Sequence, residues 1–116
     1  MISYSTVEAA NKIDADLIIA STLSGYTARK VSNMKPNCWI LATCTSKKTA
    51  RSLALCYGVE TTIVPVVTTN EEIKETAITS AIEKFNLKKN DKVIITGGFG
   101  RLSQKSDTNL MQIEII

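Results

Sequence analysis

The sequence contains no histidine and few aromatic residues, and both shortages narrow the functions it can have. With 0 histidines in 116 residues, the chain cannot form a Ser-His-Asp or Cys-His catalytic arrangement, and it lacks the usual general base near neutral pH. Aromatic residues make up 5% of the chain, so we expect an aliphatic core. The carboxylates flank predicted turns and helix starts, where they are explained as dipole partners and solvated surface. We therefore expect this chain, by itself, to catalyse nothing.

Cysteine, net charge and long apolar runs are also scarce. Cys38, Cys44 and Cys56 are odd in number and lack C-x-x-C spacing, which favours buried free thiols over a disulfide framework or a metal site. The net charge of +3 is spread along the chain without a dense basic cluster, so no nucleic-acid partner is expected. No apolar run approaches the roughly 18 residues that span a membrane, and the N-terminus lacks a signal-peptide layout. These features predict a cytoplasmic protein.

The remaining composition, 44% hydrophobic and 22% charged, is typical of one globular domain over residues 1–116. Continuous apolar runs predict strands buried on both faces of a parallel sheet, and stretches of helical period alternate with them. The predicted strands are 17–20, 39–43, about 60–66, 93–96 and about 109–115. The predicted helices begin at Ser3 or Ser5, Tyr26, Thr45 or Ser46, and Thr69, and they end near Ile13, before Pro36, near Leu55 with Gly58 as C-cap, and near Phe85.

This alternation predicts an α/β fold, a three-layer α/β/α sandwich with right-handed crossovers. The connection 97–108 has no helix pattern, so the fifth strand of the mixed five-stranded sheet must be antiparallel at an edge. Pro65 favours the other edge for strand 3, since proline cannot donate to a central ladder. If the order is 3-2-1-4-5, the topological switch point lies between strands 1 and 4, where open α/β sheets bind ligands.

Two turns meet at that switch point. The first, 22–25, follows strand 1 and places the hydroxyls of Thr22, Ser24 and Thr27 near the free N–H groups of a helix start, where an anion fits. The second is the glycine-rich run 97–100 after strand 4. The alternative is that Ser24 is an ordinary N-cap, worth about 1 kcal/mol, and Gly25 an ordinary turn residue. The pattern is neither a P-loop nor a G-x-G-x-x-G fingerprint.

Several runs resemble the C-terminal domain of pyruvate kinase. T-L-S-G-Y-T-A at 22–28, followed by V-S at 31–32 and K-P at 35–36, is similar to that domain's T-x-S-G-x-T-A…[VL]-S…[RK]-P pattern. R-S-L-A-L at 51–55 with G-V at 58–59 resembles its R-x-L-x-L-x-x-G-V. The run from Leu87 through Asn109 resembles its V-K-K-G-D…T-x-G…T-N ending. The resemblance covers essentially the whole chain and implies the same five-stranded sheet.

The resemblance also implies a regulatory role. The Ser/Thr-rich turn would hold a phosphate of a sugar phosphate or nucleotide effector, and the loop 97–107 would close over it. The candidate site residues are Thr22, Ser24, Gly25, Thr27, Gly98, Gly100, Arg101 and Lys105. The later loop departs from the family pattern, and 67–72 lacks the Trp and Arg of eukaryotic bisphosphate-activated members, so fructose 1,6-bisphosphate is not the expected effector. No cofactor is expected in this chain, because Mg²⁺ and K⁺ belong to a catalytic barrel that has no counterpart here.

Three hypotheses follow. The chain is a pyruvate kinase effector and assembly domain, a stand-alone phosphate-ligand-binding protein, or an assembly module whose anion turn is only a capped helix. The last strand is apolar at an exposed edge, so we also predict a homodimer paired through this strand about a two-fold axis. Gln112→Pro is expected to shift it towards monomer by removing a ladder donor.

Overall fold

The structure is a computed structural model and describes residues 2–21, 26–56, 58–64, 70–97 and 110–116. Helices and strands alternate along most of the chain. In order they are α1 (Ile2–Ile13), β1 (Leu17–Ser21), α2 (Tyr26–Asn33), β2 (Trp39–Cys44), α3 (Lys47–Ser52), β3 (Val59–Ile63), α4 (Asn70–Phe85), β4 (Lys92–Gly97) and β5 (Leu110–Ile115). Across these ranges, none of the helices has both the length and the apolar character needed to cross a bilayer.

The described strands form one five-stranded sheet in the order β3-β2-β1-β4-β5. The pairs β2–β3, β1–β2 and β1–β4 are parallel, and β4–β5 is antiparallel. The predicted fold class, strand order and direction of the last strand are therefore confirmed. In the central strand, Leu17 is the register partner of both Trp39 and Val93. This places β1 between its neighbours from its first residue onwards.

Successive residues of β1 point to two different helix layers, as expected for a strand covered on both sides. Leu17 and Ile19 belong to the core cluster on the α4 side, together with Ala77 and Ala81. The other cluster joins the opposite face of the sheet to α1, α2 and the end of α3, and its largest members are Ile18, Ile40, Ile94, Val31 and Leu53. All four β1 residues from 17 to 20 are fully buried, and each Leu or Ile contributes about 1.5–3 kcal/mol.

Two helices end on a residue in the left-handed region of backbone space. Asp14 follows α1 with a φ of 54°, and Asn86 follows α4 with a φ of 52°. After α1, the N–H of Ala15 donates to the carbonyl of Ala10 at 2.9 Å, the six-to-one bond that closes such a helix end. The start of α1 differs from the prediction: the helix already includes Ile2, so Ser3 and Ser5 lie inside it and do not cap it.

Helix α3 is shorter than predicted. Ser46 is its N-cap, as expected, and accepts a hydrogen bond from the Thr49 N–H at 3.2 Å. The helix ends at Ser52 with Leu53 as its C-cap. Leu53 is buried, whereas Leu55 is fully exposed. Burial of Leu55 therefore does not favour another turn of α3. The prediction that Gly58 is the C-cap of α3 is wrong: Gly58, with a φ of 67°, leads into β3.

Candidate functional site

The carboxyl ends of the neighbouring strands β1 and β4 lie side by side. β1 ends at Ser21 and β4 ends at Gly97, and these two residues are register partners. Helix α2 begins at Tyr26, soon after β1 leaves the sheet. The backbone N–H groups of a first helical turn have no partner within their helix and carry the positive end of its dipole. This edge of the sheet therefore combines two adjacent strand ends with a helix start that favours an anion.

The helices joined to β1 and β4, which are α2 and α4, lie on opposite faces of the sheet. Helix α2 follows β1 and packs through Ala28 and Val31 on the face that includes Ile18. Helix α4 precedes β4 and packs through Ala77 on the face that includes Leu17. The strand order itself puts the topological switch point between β1 and β4, and open α/β sheets bind ligands at the carboxyl ends of the strands beside such a point. The predicted switch point is present in the topology.

Of the eight predicted site residues, Thr27 is the one that lies within the described part of the chain. Its side chain is 1% exposed, in the first turn of α2, on the inner side that also holds Ala28. Thr27 thus packs the start of α2 against the sheet. The other seven lie outside the described residues: Thr22, Ser24, Gly25, Gly98, Gly100, Arg101 and Lys105. Their participation in a site stays a prediction.

Hydroxyl side chains at the strand ends were not foreseen from the sequence. Thr43 on β2 is the register partner of Ser21, and Thr96 on β4 is the register partner of Ala20. Thr43 is 3% exposed and Thr96 is fully buried, whereas Ser21 is half-buried. The signal in the sequence is a threonine at the last or next-to-last position of two apolar strands. These hydroxyls add polar character to the edge of the sheet where the predicted turns begin.

Arg29, one turn into α2, has a partner within the protein. Its Nη2 donates to the Ser52 Oγ at 3.1 Å, and the Ser52 Oγ donates to the Thr49 carbonyl at 2.7 Å. The guanidinium therefore connects α2 to the end of α3 at an exposed position. Nothing in the spacing of the sequence indicates this contact of Arg29 with a residue 23 positions away.

Burial affects the chemistry of two of the cysteines, Cys38 and Cys44. Burial, and secondarily the charge of Asp16, raises the pKa of the Cys38 thiol to about 11, and burial also raises the pKa of Cys44. Both thiols are therefore protonated at neutral pH, whereas thiolates are the reactive and metal-binding form. Within the described ranges, no group of three or more His, Cys, Asp and Glu side chains is arranged to hold a metal ion.

A cavity of about 470 Å³ opens at the opposite, amino end of the sheet. It is lined by Gly58 and by the loop from Lys35 to Trp39. Trp39, the first residue of β2, is 55% exposed although its apolar run predicted burial, because the pairing of β2 with β3 begins only at Ile40. The Asn37 N–H donates to the Asn11 Oδ1 at 3.2 Å and ties this loop to α1. The cavity brings together none of the predicted site residues.

Comparison with known proteins matches residues 1–114 to the family described as pyruvate kinase, alpha/beta domain. A pyruvate kinase of Lactobacillus delbrueckii subsp. bulgaricus is 38% identical over 117 aligned residues, which cover 99% of this chain and 19% of that protein. A pyruvate kinase of Clostridium acetobutylicum is 31% identical over 116 residues, covering 100% of this chain and 24% of that protein. The chain thus spans about a fifth to a quarter of the length of these relatives.

Solved structures give the same result. The crystal structure of a pyruvate kinase from Cryptosporidium parvum superposes with a TM-score of 0.84 and 31% sequence identity, covering 98% of this chain and 22% of that one. The structure of the Cryptosporidium parvum pyruvate kinase in complex with ADP superposes with the same TM-score and identity, covering 98% of this chain and 23% of that one.

Proposed function

Because this chain belongs to the family of pyruvate kinase alpha/beta domains, we propose that it is the effector-binding and subunit-assembly domain of a pyruvate kinase. In this proposal the enzyme converts phosphoenolpyruvate and ADP to pyruvate and ATP in glycolysis, and the domain acts in the cytoplasm. The catalytic step belongs to the portion of these enzymes that this chain does not match. The role of this chain is to bind a phosphorylated small molecule and to join subunits.

The observation that carries the binding role is the adjacency of Ser21 and Gly97 beside the start of α2. A phosphate bound there would accept hydrogen bonds from first-turn N–H groups and meet the positive end of the helix dipole. In the proposal, Thr22, Ser24, Gly25 and Thr27 hold the phosphate from the β1 side. Gly98, Gly100, Arg101 and Lys105 close over the ligand from the β4 side.

Thermal denaturation in the presence of phosphorylated ligands tests the binding role. The panel contains inorganic phosphate, a hexose phosphate, a pentose phosphate, AMP and ADP, with the unphosphorylated sugars and adenosine as controls. A ligand at about 100 times its dissociation constant should raise the free energy of unfolding by about 2.7 kcal/mol. If no phosphorylated compound raises the melting temperature above its unphosphorylated control, the binding role is wrong and the assembly module remains.

Gly25→Val locates the site within the domain. The added side chain should block close approach of a phosphate to the turn and abolish binding by titration calorimetry, while the unliganded domain still folds. Ser46→Ala is the matched control, since it removes the N-cap of α3 after the neighbouring strand and should cost about 1 kcal/mol of stability without affecting binding. Unchanged binding in Gly25→Val would remove this turn from the site.

The assembly role rests on the surface of β5, the edge strand beside β4. Ile113 is 46% exposed and Ile115 is 63% exposed on one face of this strand. On the other face, Ile116 packs against the α4-side core and Glu114 forms an ion pair with Lys74 at 2.5 Å. The free edge of β5 offers backbone N–H and C=O groups, and the two exposed isoleucines place apolar side chains beside it. A second copy of β5, paired about a two-fold axis, would cover both.

The backbone hydrogen bonds show which residues of β5 can pair with another chain. The Ile116 N–H donates to the Asp91 carbonyl at 2.8 Å, so by antiparallel alternation the N–H of Gln112 faces β4, opposite Ile95. The N–H and C=O of Ile113 face outwards. The Gln112→Pro test chosen from the sequence would therefore damage the sheet itself, because it removes a donor used within the subunit.

Ile113→Pro is the appropriate variant, because it removes an outward-facing donor and proline is tolerated on the free side of an edge strand. We expect light scattering to show a dimer for the unmodified chain at high micromolar concentration and a monomer for Ile113→Pro. Ile113→Thr keeps the N–H and the β-branched shape, and should give a weaker dimer that still forms. If the unmodified chain is a monomer at that concentration, the proposed assembly role is wrong.

A further inference from the structure

The sheet has a second edge at β3, and its backbone offers the same kind of template as β5. The Ile40 N–H donates to the Gly58 carbonyl and the Val64 N–H donates to the Cys44 carbonyl, both at 2.8 Å. Residues 58, 60, 62 and 64 therefore bond to β2 in the parallel ladder. The N–H and C=O groups of the alternate residues point away from the sheet; these residues are Val59, Thr61 and Ile63.

One of these outward-facing groups is occupied by a lysine. The Lys84 Nζ, from the last turn of α4, donates to the Thr61 carbonyl oxygen at 3.0 Å. Thr61 is the middle of the three outward-facing residues, so the ammonium lies at the centre of the edge. The contact is exposed, which leaves the remaining protons of the ammonium in water. Ile63, on the same strand, is 49% exposed, so the edge also carries apolar surface that another strand could cover.

We propose that Lys84 closes the β3 edge to strand addition and thereby restricts self-association to the β5 edge, an inference that rests on the assembly role proposed above. An incoming strand needs the Thr61 carbonyl as an acceptor. It must displace the ammonium or bury it beside its own backbone, and burying a charge without a paired partner is costly. Charge placed at a sheet edge, most often that of lysine, acts against pairing, and here a helix supplies it.

Closing one edge decides the form of the assembly. Pairing of β5 with β5 about a two-fold axis uses the same surface on both copies and stops at the dimer. Pairing of β5 with β3 of another copy uses two different surfaces, so each added copy presents a new free edge and the assembly grows without closing. With the β3 edge closed, the second mode is blocked and the closed dimer remains.

Lys84→Met tests the proposal, since methionine keeps a flexible apolar side chain and loses the ammonium. We expect its weight-average mass by light scattering at high micromolar concentration to rise to at least about twice that of the unmodified dimer. Lys89→Met, at an exposed position in the α4–β4 turn, is the matched control and should behave as the unmodified chain. Lys84→Arg keeps the charge and should restore the unmodified mass.

Equal mass distributions for Lys84→Met and Lys89→Met would overturn the proposal, as would growth in Lys84→Arg. The double variant Lys84→Met with Ile113→Pro should not grow beyond a dimer, because the β5 partner of the open-ended mode is disabled. Growth in the double variant would show that the added methionine, and not the opened edge, drives association. An unmodified monomer together with assembly in Lys84→Met alone would reject the β5 dimer and keep the role of Lys84.

Discussion

Asp16 and Lys92 join the starts of β1 and β4 through reciprocal hydrogen bonds. The Asp16 N–H donates to the Lys92 carbonyl at 2.8 Å, and the Lys92 N–H donates to the Asp16 Oδ2 at 2.9 Å. The Lys92 Nζ also donates to the Ile13 carbonyl at 3.2 Å, at the end of α1. The turn between α1 and β1 is thus attached to β4, which fixes where β4 begins beside β1.

Asp16→Ala should destabilise the domain because the Lys92 N–H loses its acceptor. The contact is exposed, so water can replace part of it, and we expect the free energy of unfolding to fall by about 1 kcal/mol. Asp16→Asn retains a side-chain oxygen and should lose less. Urea unfolding of the three chains gives the comparison; equal midpoints for Asp16→Ala and the unmodified chain would show that this bond contributes nothing to stability.

Cys38 should make the domain less stable in alkaline solution. Burial, followed by the charge of Asp16, raises the thiol pKa from 9.0 to about 11. Between these values the unfolded chain releases the proton and the folded chain keeps it, so the stability present below pH 9 falls as the pH rises towards 11. Cys38→Ser removes this contribution. The difference in unfolding free energy between Cys38→Ser and the unmodified chain should therefore change over this range, and a constant difference would contradict the raised pKa.

The contribution of Asp16 to the Cys38 pKa can be measured separately. Asp16→Asn removes the negative charge, so it should lower the Cys38 pKa and increase its alkylation rate at a fixed pH between 8 and 9. Cys44 is an internal control, since burial alone raises its pKa. Mass spectrometry of the alkylated peptides distinguishes the two thiols. An equal increase at both would indicate general loosening of the fold rather than loss of the Asp16 charge.

Left-handed backbone positions should respond oppositely to glycine and alanine. Asp14→Gly should stabilise the domain by about 0.5–1 kcal/mol, because glycine adopts the φ of 54° without strain and the variant removes a negative charge from a helix C-terminus. Gly58→Ala should destabilise it by about 1 kcal/mol through backbone strain, since a Cβ at Gly58 would contact nothing within 4 Å. Thermal unfolding checks both signs, and a stabilising Gly58→Ala would contradict this explanation.

Arg101 and Lys105 are expected to contact the phosphate of a bound effector. Changing either residue to alanine should weaken ligand binding and flatten its dependence on salt concentration, because a charge pair is lost. Titration calorimetry at two salt concentrations measures both effects. Lys89→Ala, at an exposed turn position, provides the control for a change of net charge alone. Equal affinity and an equal salt slope would leave Arg101 and Lys105 as solvated surface.

The strands of the sheet could be predicted from the sequence because the apolar runs that mark them are local patterns. Continuous apolar runs at 17–20, 39–43 and 93–96 identify buried parallel strands, and the missing helix pattern after Gly97 makes β5 antiparallel. The same reasoning failed where burial depends on what covers a residue. Trp39 belongs to an apolar run and is still exposed, because the pairing of β2 with β3 begins only at the next residue, Ile40. Helix α3 ends before Leu55, whose side chain belongs to an apolar pattern in the sequence and is nevertheless fully exposed.

The strand ends beside the candidate site were predictable from the sequence, whereas the side-chain contacts around them were not. Strand order alone places Ser21 beside Gly97, and sequence reasoning found both turns that follow them. Contacts between distant side chains could not be found in this way. The Arg29–Ser52 bond depends on how α2 and α3 pack, and the Lys84–Thr61 bond depends on how α4 crosses the sheet. Neither leaves a spacing signal in the sequence.

The central place of β1 also sets the order in which the domain can be completed during synthesis. Lys92, whose backbone bonds to Asp16, follows it by 76 residues, and α4 comes immediately before β4. A nascent chain that has formed only β1, β2 and β3 therefore leaves Leu17 and Ile19 without the helix that covers them. Such non-local pairing slows folding, and partly formed sheets are prone to aggregation. The unfinished chain on the ribosome is therefore expected to be more prone to aggregation than the finished domain.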